Sequence, residues 1–124
     1  MPPADVPVNL DAEFASFDEL WAPRVVGEIN DYELKIAKAE GRFVWHTHDG
    51  TDEFFLVHKG RLTIEMRGRG HVALGPGDFF VVPRGVEHCP VADAGCELVL
   101  LEPKGVVNTG DAPSVESTAD EEKS

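Results

Sequence analysis

Residues 45–55 read WHTHDGTDEFF. Two histidines, His46 and His48, stand one residue apart, and Glu53 follows five positions after the second. Bulky apolar residues that normally seek a core surround them. On a strand, successive side chains alternate faces, so His46 and His48 point the same way, about 6–7 Å apart. After the DGT turn the chain re-enters a strand that Glu53 begins, with Phe55 and Val57 on the same face. One hairpin thereby gathers two imidazoles and a carboxylate, a donor set suited to Zn, Fe, Ni, Cu or Mn. The plainer alternative is a pair of packed histidines. It leaves buried polar groups in need of partners, which is costly.

Outward from this stretch the pattern is that of short strands. The candidates are 25–29, 32–39, 42–47, 53–58, 61–66, 71–74, 79–82, 88–91 and 96–102. Turn chemistry separates them: IND, AEG, HKG, RGRG, GPGD, PRG and DAG. Even spacing without long helices predicts an all-β antiparallel barrel or jelly roll and argues against a parallel α/β sheet. Ahead of the strands, Leu10, Phe14, Phe17 and Leu20 or Trp21 recur at helical spacing. Asn9 or Asp11 is placed to cap, and Pro23 to stop, one short amphipathic helix. The reading divides the chain into an N-terminal arm with its helix (1–24), a barrel (25–105) and an acidic tail expected to be mobile (106–124).

A length of 124 residues suits one domain, and 12 Gly with 9 Pro suit a turn-rich fold. The net charge is −12. Residues 111–124 hold five acids and one base, so 18 acids still face 10 bases in the body, about −8. Such a surface repels nucleic acid and anionic lipid, so neither is expected as a partner. No apolar run approaches the roughly 20 residues of a membrane span. MPPADVPVNL lacks the build of a signal peptide, so a cytoplasmic location is expected by default. Cys89 and Cys96 are accordingly expected as reduced thiols.

A second stretch, GPGDFFVVPRGVEHCP at 75–90, feeds a hydrophobic strand between two tight turns and places His88 at the start of the next strand. With it the chain resembles the cupin superfamily, specifically the small single-domain cupins. The first motif of that family is matched by Gly41, His46-Thr47-His48, Glu53 and Gly60. The second is matched by Gly77, Pro83-Arg84-Gly85 and His88. The resemblance covers residues 32–102. It implies a β-jelly-roll barrel holding one divalent ion, with His46, His48, Glu53 and His88 as ligands and Zn, Fe, Ni or Mn as the ion. Val44, Phe55, Val57, Leu62, Ile64 and Val81 are then expected to wall the interior. Two positions depart from the family pattern: four residues rather than five separate Gly41 from His46, and Ala92 stands where Asn usually closes the second motif.

The resemblance further implies a small-molecule substrate or ligand, a homodimer, and oxygenase, isomerase or decarboxylase chemistry, with a non-catalytic binding or sensing module as the alternative. Thiol oxygenases of the family lack the glutamate, so Glu53 argues against that branch. No Lys and Arg cluster suggests a sugar phosphate. Alternation places His58 on the outer face and turns Cys89 away from the ion. His71 and Arg84 fall on exposed turns. Asp52 faces opposite to Glu53. The apolar residues Phe54, Leu56, Phe79, Phe80 and Val82 occupy both strand faces, one filling the barrel and the other free to pack on a second subunit or on the N-terminal segment.

Overall fold

A computed structural model describes residues 5–106 and 110. One helical turn, α1 (Leu10–Phe14), precedes seven strands: β1 (Arg24–Ile29), β2 (Tyr32–Arg42), β3 (Glu53–Gly60), β4 (Leu62–Met66), β5 (Gly70–Leu74), β6 (Phe79–Val82) and β7 (His88–Pro103). Every pairing between these strands is antiparallel, as the turn-separated short strands predict. One ladder runs β1-β2-β7-β3-β6, and β4 joins β5 to β7. The architecture is the expected antiparallel jelly-roll barrel with a short N-terminal helix.

The inward faces follow the period of two. Phe55, Val57, Leu62, Ile64, Leu98 and Leu100 form the barrel core with Ala37, Met66 and Val82. A second cluster lies outside the sheet, where Phe14 and Phe17 cover Val26 and Ile36. Asn9 caps α1 by accepting a hydrogen bond from the Ala12 amide at 2.9 Å. His58, on the outer face as alternation requires, stacks on Phe14 and lies 3.0 Å from Asp11 Oδ1, which fastens the helix to β3.

Several boundaries differ from expectation. The strands 32–39 and 42–47 do not exist as separate units: β2 runs through to Arg42, and residues 43–52 lie outside the named strands. Gly41 adopts φ +83° at a register shift in the β2–β7 ladder, so AEG makes a bulge rather than a turn. Likewise 88–91 and 96–102 are one strand, β7, because Gly95 at φ +89° kinks the chain without reversing it. The helix ends at Phe14, well short of Pro23. Val81 does not wall the interior. It is 41% exposed, and Val82 is buried instead, because β3 pairs Glu53 with Val82 and Phe55 with Phe80. The apolar run FFVV has no alternation of its own to set that phase. Val44 is only half-buried, and Phe43 is buried in its place. The acidic tail lies outside the described residues, apart from Val106 and Gly110. Both cysteines are buried free thiols, and burial pushes Cys96 up to about 12. Among the described residues no helix is long and apolar enough to cross a membrane.

Candidate metal centre

Three side chains from one short stretch, His46, His48 and Glu53, meet a fourth, His88, from 35 residues further along. Glu53 opens β3 and His88 opens β7, each with its side chain inside. His46 belongs to no strand. It is held by a reciprocal pair of backbone hydrogen bonds with His88, in which each amide donates to the other's carbonyl at 2.9 Å. The loop that carries His48 is tied down as well. Gly85 N–H donates to the His48 carbonyl and Arg84 N–H to Asp52 Oδ1, both at 2.9 Å. The PRG turn thus braces the HTHDGTD loop, and the positive φ of Gly85 permits that turn.

The ligand atoms of His46, His48, Glu53 and His88 all lie within 4.8 Å of one another, and all four residues are buried. Glu53 Oε1 stands 2.9 Å from His88 Nε2, 3.0 Å from His48 Nε2 and 3.7 Å from His46 Nε2. The Nδ1 atoms of His46 and His88 each lie 2.9 Å from a carbonyl oxygen, of Val44 and Val86 respectively. A carbonyl accepts only from N–H, so both rings carry a proton on Nδ1 and turn Nε2 toward the cluster. His46 Nε2 is fully buried, and the atom it faces, Glu53 Oε1, is 3.7 Å away. Burial alone would raise the Glu53 carboxyl. Hydrogen bonds with His46, His48 and His88 outweigh that effect and hold it well below the usual carboxylate range. Three imidazole nitrogens and a carboxylate oxygen gathered in this way are a donor set that could bind a metal.

The cluster separates two spaces. Toward the barrel interior, His46 and Glu53 face a chamber of about 30 Å³ walled by Trp21, Phe43, Phe55, Leu98 and Leu100. Toward the outside, His48 borders a cleft of about 430 Å³ with Thr47, Asp49, Thr51, Pro103, Val106 and Gly110.

The structure brings together the four residues singled out as ligands and leaves the other tempting groups apart. His71 is exposed beside Glu65. The Arg84 side chain is exposed beside Asp52. Cys89 faces Arg42, whose Nη1 lies 3.4 Å from its sulfur. Three charged residues went unread: Lys35 and Glu102, both buried, and Glu33, mostly buried beside them. Burial and then the nearby Glu53 charge push Glu102 up to about 7, against the pull of Lys35. Their signal is the parity of YELKIAKAE. Leu34 and Ile36 occupy one face, and the eye assigns that face to the core, yet Lys35, Ala37 and Ala39 occupy the inner one.

A family model described as a cupin domain matches residues 32–103. The chain is 32% identical over 80 residues to the uncharacterized protein YdbB of Bacillus subtilis (strain 168), covering 64% of this chain and 71% of that protein. The crystal structure of a cupin-2 domain containing protein from Shewanella frigidimarina NCIMB 400 superposes with a TM-score of 0.76 at 43% identity, covering 78% of this chain and 94% of that one. Protein NMB1881 from Neisseria meningitidis superposes with a TM-score of 0.73 at 28% identity, over 80% of this chain and all of that one.

Proposed function

The chain belongs to the cupin family, and from that premise we propose that it binds one divalent transition-metal ion through His46, His48, Glu53 and His88 and acts on, or holds, a small organic molecule beside it. The convergence of four buried ligand atoms within 4.8 Å carries the reading. Zn, Fe, Ni and Mn all suit three imidazole nitrogens and one carboxylate oxygen. An ion that takes more than four ligands would keep positions open there for water or a small molecule. When bound, the ion supplies Lewis acidity and a template that orients ligand oxygens.

The chain's own residues do the rest. The Val44 and Val86 carbonyls fix the His46 and His88 rings, and the apolar walls of the chamber limit water to about one molecule's space. Oxygenase, isomerase and decarboxylase chemistry all fit such a centre. A non-catalytic binding module is the second reading, favoured by the small volume of the inner chamber.

Elemental analysis of protein purified without a histidine tag tests the ligand assignment. About one equivalent of metal per chain is expected, lost in the His46→Ala/His88→Ala variant while the β-sheet circular dichroism persists. Metal content unchanged by that double replacement refutes it. Oxygen uptake and turnover of small diols by the reloaded protein then separate the enzyme from the binding module, which responds to ligand only by a rise in melting temperature.

We also infer a homodimer. The outer sheet face leaves Phe79, Val81, Leu34 and Tyr32 exposed, an apolar surface that a second copy would cover. Sedimentation equilibrium giving a monomer across the micromolar range overturns this.

A further inference from the structure

A second group of metal-ligating side chains lies outside the barrel. Asp11 comes from α1, His58 from β3 and Glu97 from β7, and their ligand atoms all lie within 4.8 Å of one another. His58 Nε2 stands 3.0 Å from Asp11 Oδ1 and 3.9 Å from Glu97 Oε1. Ligands held about 2.1 Å from a tetrahedral Zn²⁺ are roughly 3.4 Å from one another, and the two distances bracket that value. The imidazole is already oriented, because its ring stacks on Phe14 with the centroids 5.4 Å apart.

Two observations favour a cation here over a plain ion-pair network. Glu97 Oε1 is itself fully enclosed and accepts no hydrogen bond. An enclosed carboxylate oxygen without a donor is costly, and a cation satisfies it. The Glu97 side chain as a whole is 23% exposed, so an ion has a way in from solvent. A cation is also already drawn to the group: Lys59 Nζ lies 3.1 Å from Asp11 Oδ1, on a side chain that is 61% exposed. An ammonium on so flexible a stem can swing into water and leave the carboxylates to a metal ion. Hydrogen bonds from His58 and then Lys59 hold the Asp11 carboxyl below its ordinary value, so it is anionic at neutral pH.

We propose that Asp11, His58 and Glu97 form a second metal site, which takes one Zn²⁺ on the outer face of the sheet and clamps α1 to β3 and β7. It stands independently of the reading of the buried cluster. Without metal, the Asp11 carboxylate accepts a hydrogen bond from His58 Nε2–H. The ion takes the place of that proton, and the neutral imidazole carries its hydrogen on Nδ1 instead. Three protein ligands leave the fourth tetrahedral position to water.

The test titrates the full chain, stripped of metal, with Zn²⁺ in competition with a chromophoric chelator. Three ligands open to solvent make this the weaker of the two sites, emptied during purification, so it fills as a second equivalent. His58→Phe keeps a ring on Phe14 but offers no nitrogen, and Glu97→Gln keeps the shape without the charge. Outer partners of metal ligands are worth roughly 10–100-fold in affinity, so loss of a ligand itself is expected to weaken the second equivalent by at least about tenfold. Lys59→Met, which removes the competing ammonium, is expected to tighten it. In the His46→Ala/His88→Ala variant the second equivalent persists and saturating Zn²⁺ still raises the melting temperature; adding His58→Phe abolishes that rise. A parent chain with no equivalent sensitive to His58→Phe or Glu97→Gln overturns this site and leaves the buried centre untouched. An equivalent lost with His58, and none lost with His46 and His88, overturns the buried centre and leaves this site standing.

Discussion

Gly41 and Gly60 offer a matched pair of perturbations. Both belong to the same motif, and both hold left-handed backbone, at φ +83° and +85°. Their surroundings differ. A Cβ at Gly41 meets nothing within 4 Å. At Gly60 it would run into the Gly95 carbonyl oxygen and lie 2.8 Å from Cys96 Cα. Gly41→Ala therefore carries only the left-handed penalty, about 1–2 kcal/mol. Gly60→Ala adds a collision with backbone that cannot rotate away, where β3 meets β7. Overpacking of that kind costs a further ~1–3 kcal/mol, so the total is about 2–5 kcal/mol. For a domain of this size one kcal/mol moves the melting temperature by roughly 3–5 °C. Thermal unfolding followed by circular dichroism should show a drop of about 5 °C for Gly41→Ala and roughly 10 °C or more for Gly60→Ala. Equal losses in the two variants would refute the packing argument at Gly60.

The phase of β6 is tested by charge. Val82→Asp buries an unpaired carboxylate and should abolish soluble folded protein, whereas Val81→Asp should leave the monomer's stability within about 0.5 kcal/mol; the reverse order would move the barrel wall by one residue. The metal-free protein should lose stability as pH rises. Glu102 is held up at about 7, so its neutral form is favoured on folding. That contribution is complete below the ordinary carboxylate value and fades as pH climbs through about 7, by about 3 kcal/mol in all. Urea titrations of chelator-treated protein at pH 5 and pH 8 should show this slope, and Glu102→Gln should flatten it; parallel profiles count against it. Acid should release bound metal, because protonated imidazole cannot ligate; atomic absorption after dialysis at pH 5 should find the ion largely gone, and full retention speaks against imidazole ligation.

The site was legible because its parts are chemically loud. His46, His48 and His88 are three of the chain's five histidines, they stand with Glu53 beside turns rich in Gly and Pro, and the structure brings the four together. Strand identity was legible where polarity alternates, as in β3 and β4. It failed where local signals compete with distant partners. AEG and DAG carry turn residues, yet facing strands continue past both, so the chain bulges and the strands run on. FFVV is apolar throughout, and only its pairing with β3 fixes which valine is inside. Lys35 was invisible because its apolar neighbours Leu34 and Ile36 announce the opposite face as core. Part of that face is indeed covered, by Phe14 and Phe17 from a segment about 20 residues upstream.

β7 contributes to three ladders at once, against β2, β3 and β4. Its sixteen residues come last among the strands, and its first is His88. During synthesis β1 and β2, β3 and β6, and β4 and β5 can pair before it, but β2, β3 and β4 each keep one edge unmated, and His46, His48 and Glu53 wait without their fourth companion. On the proposed metal reading, capture of the ion is thereby deferred to the closing event of folding, because a chain ending before residue 88 lacks the fourth ligand.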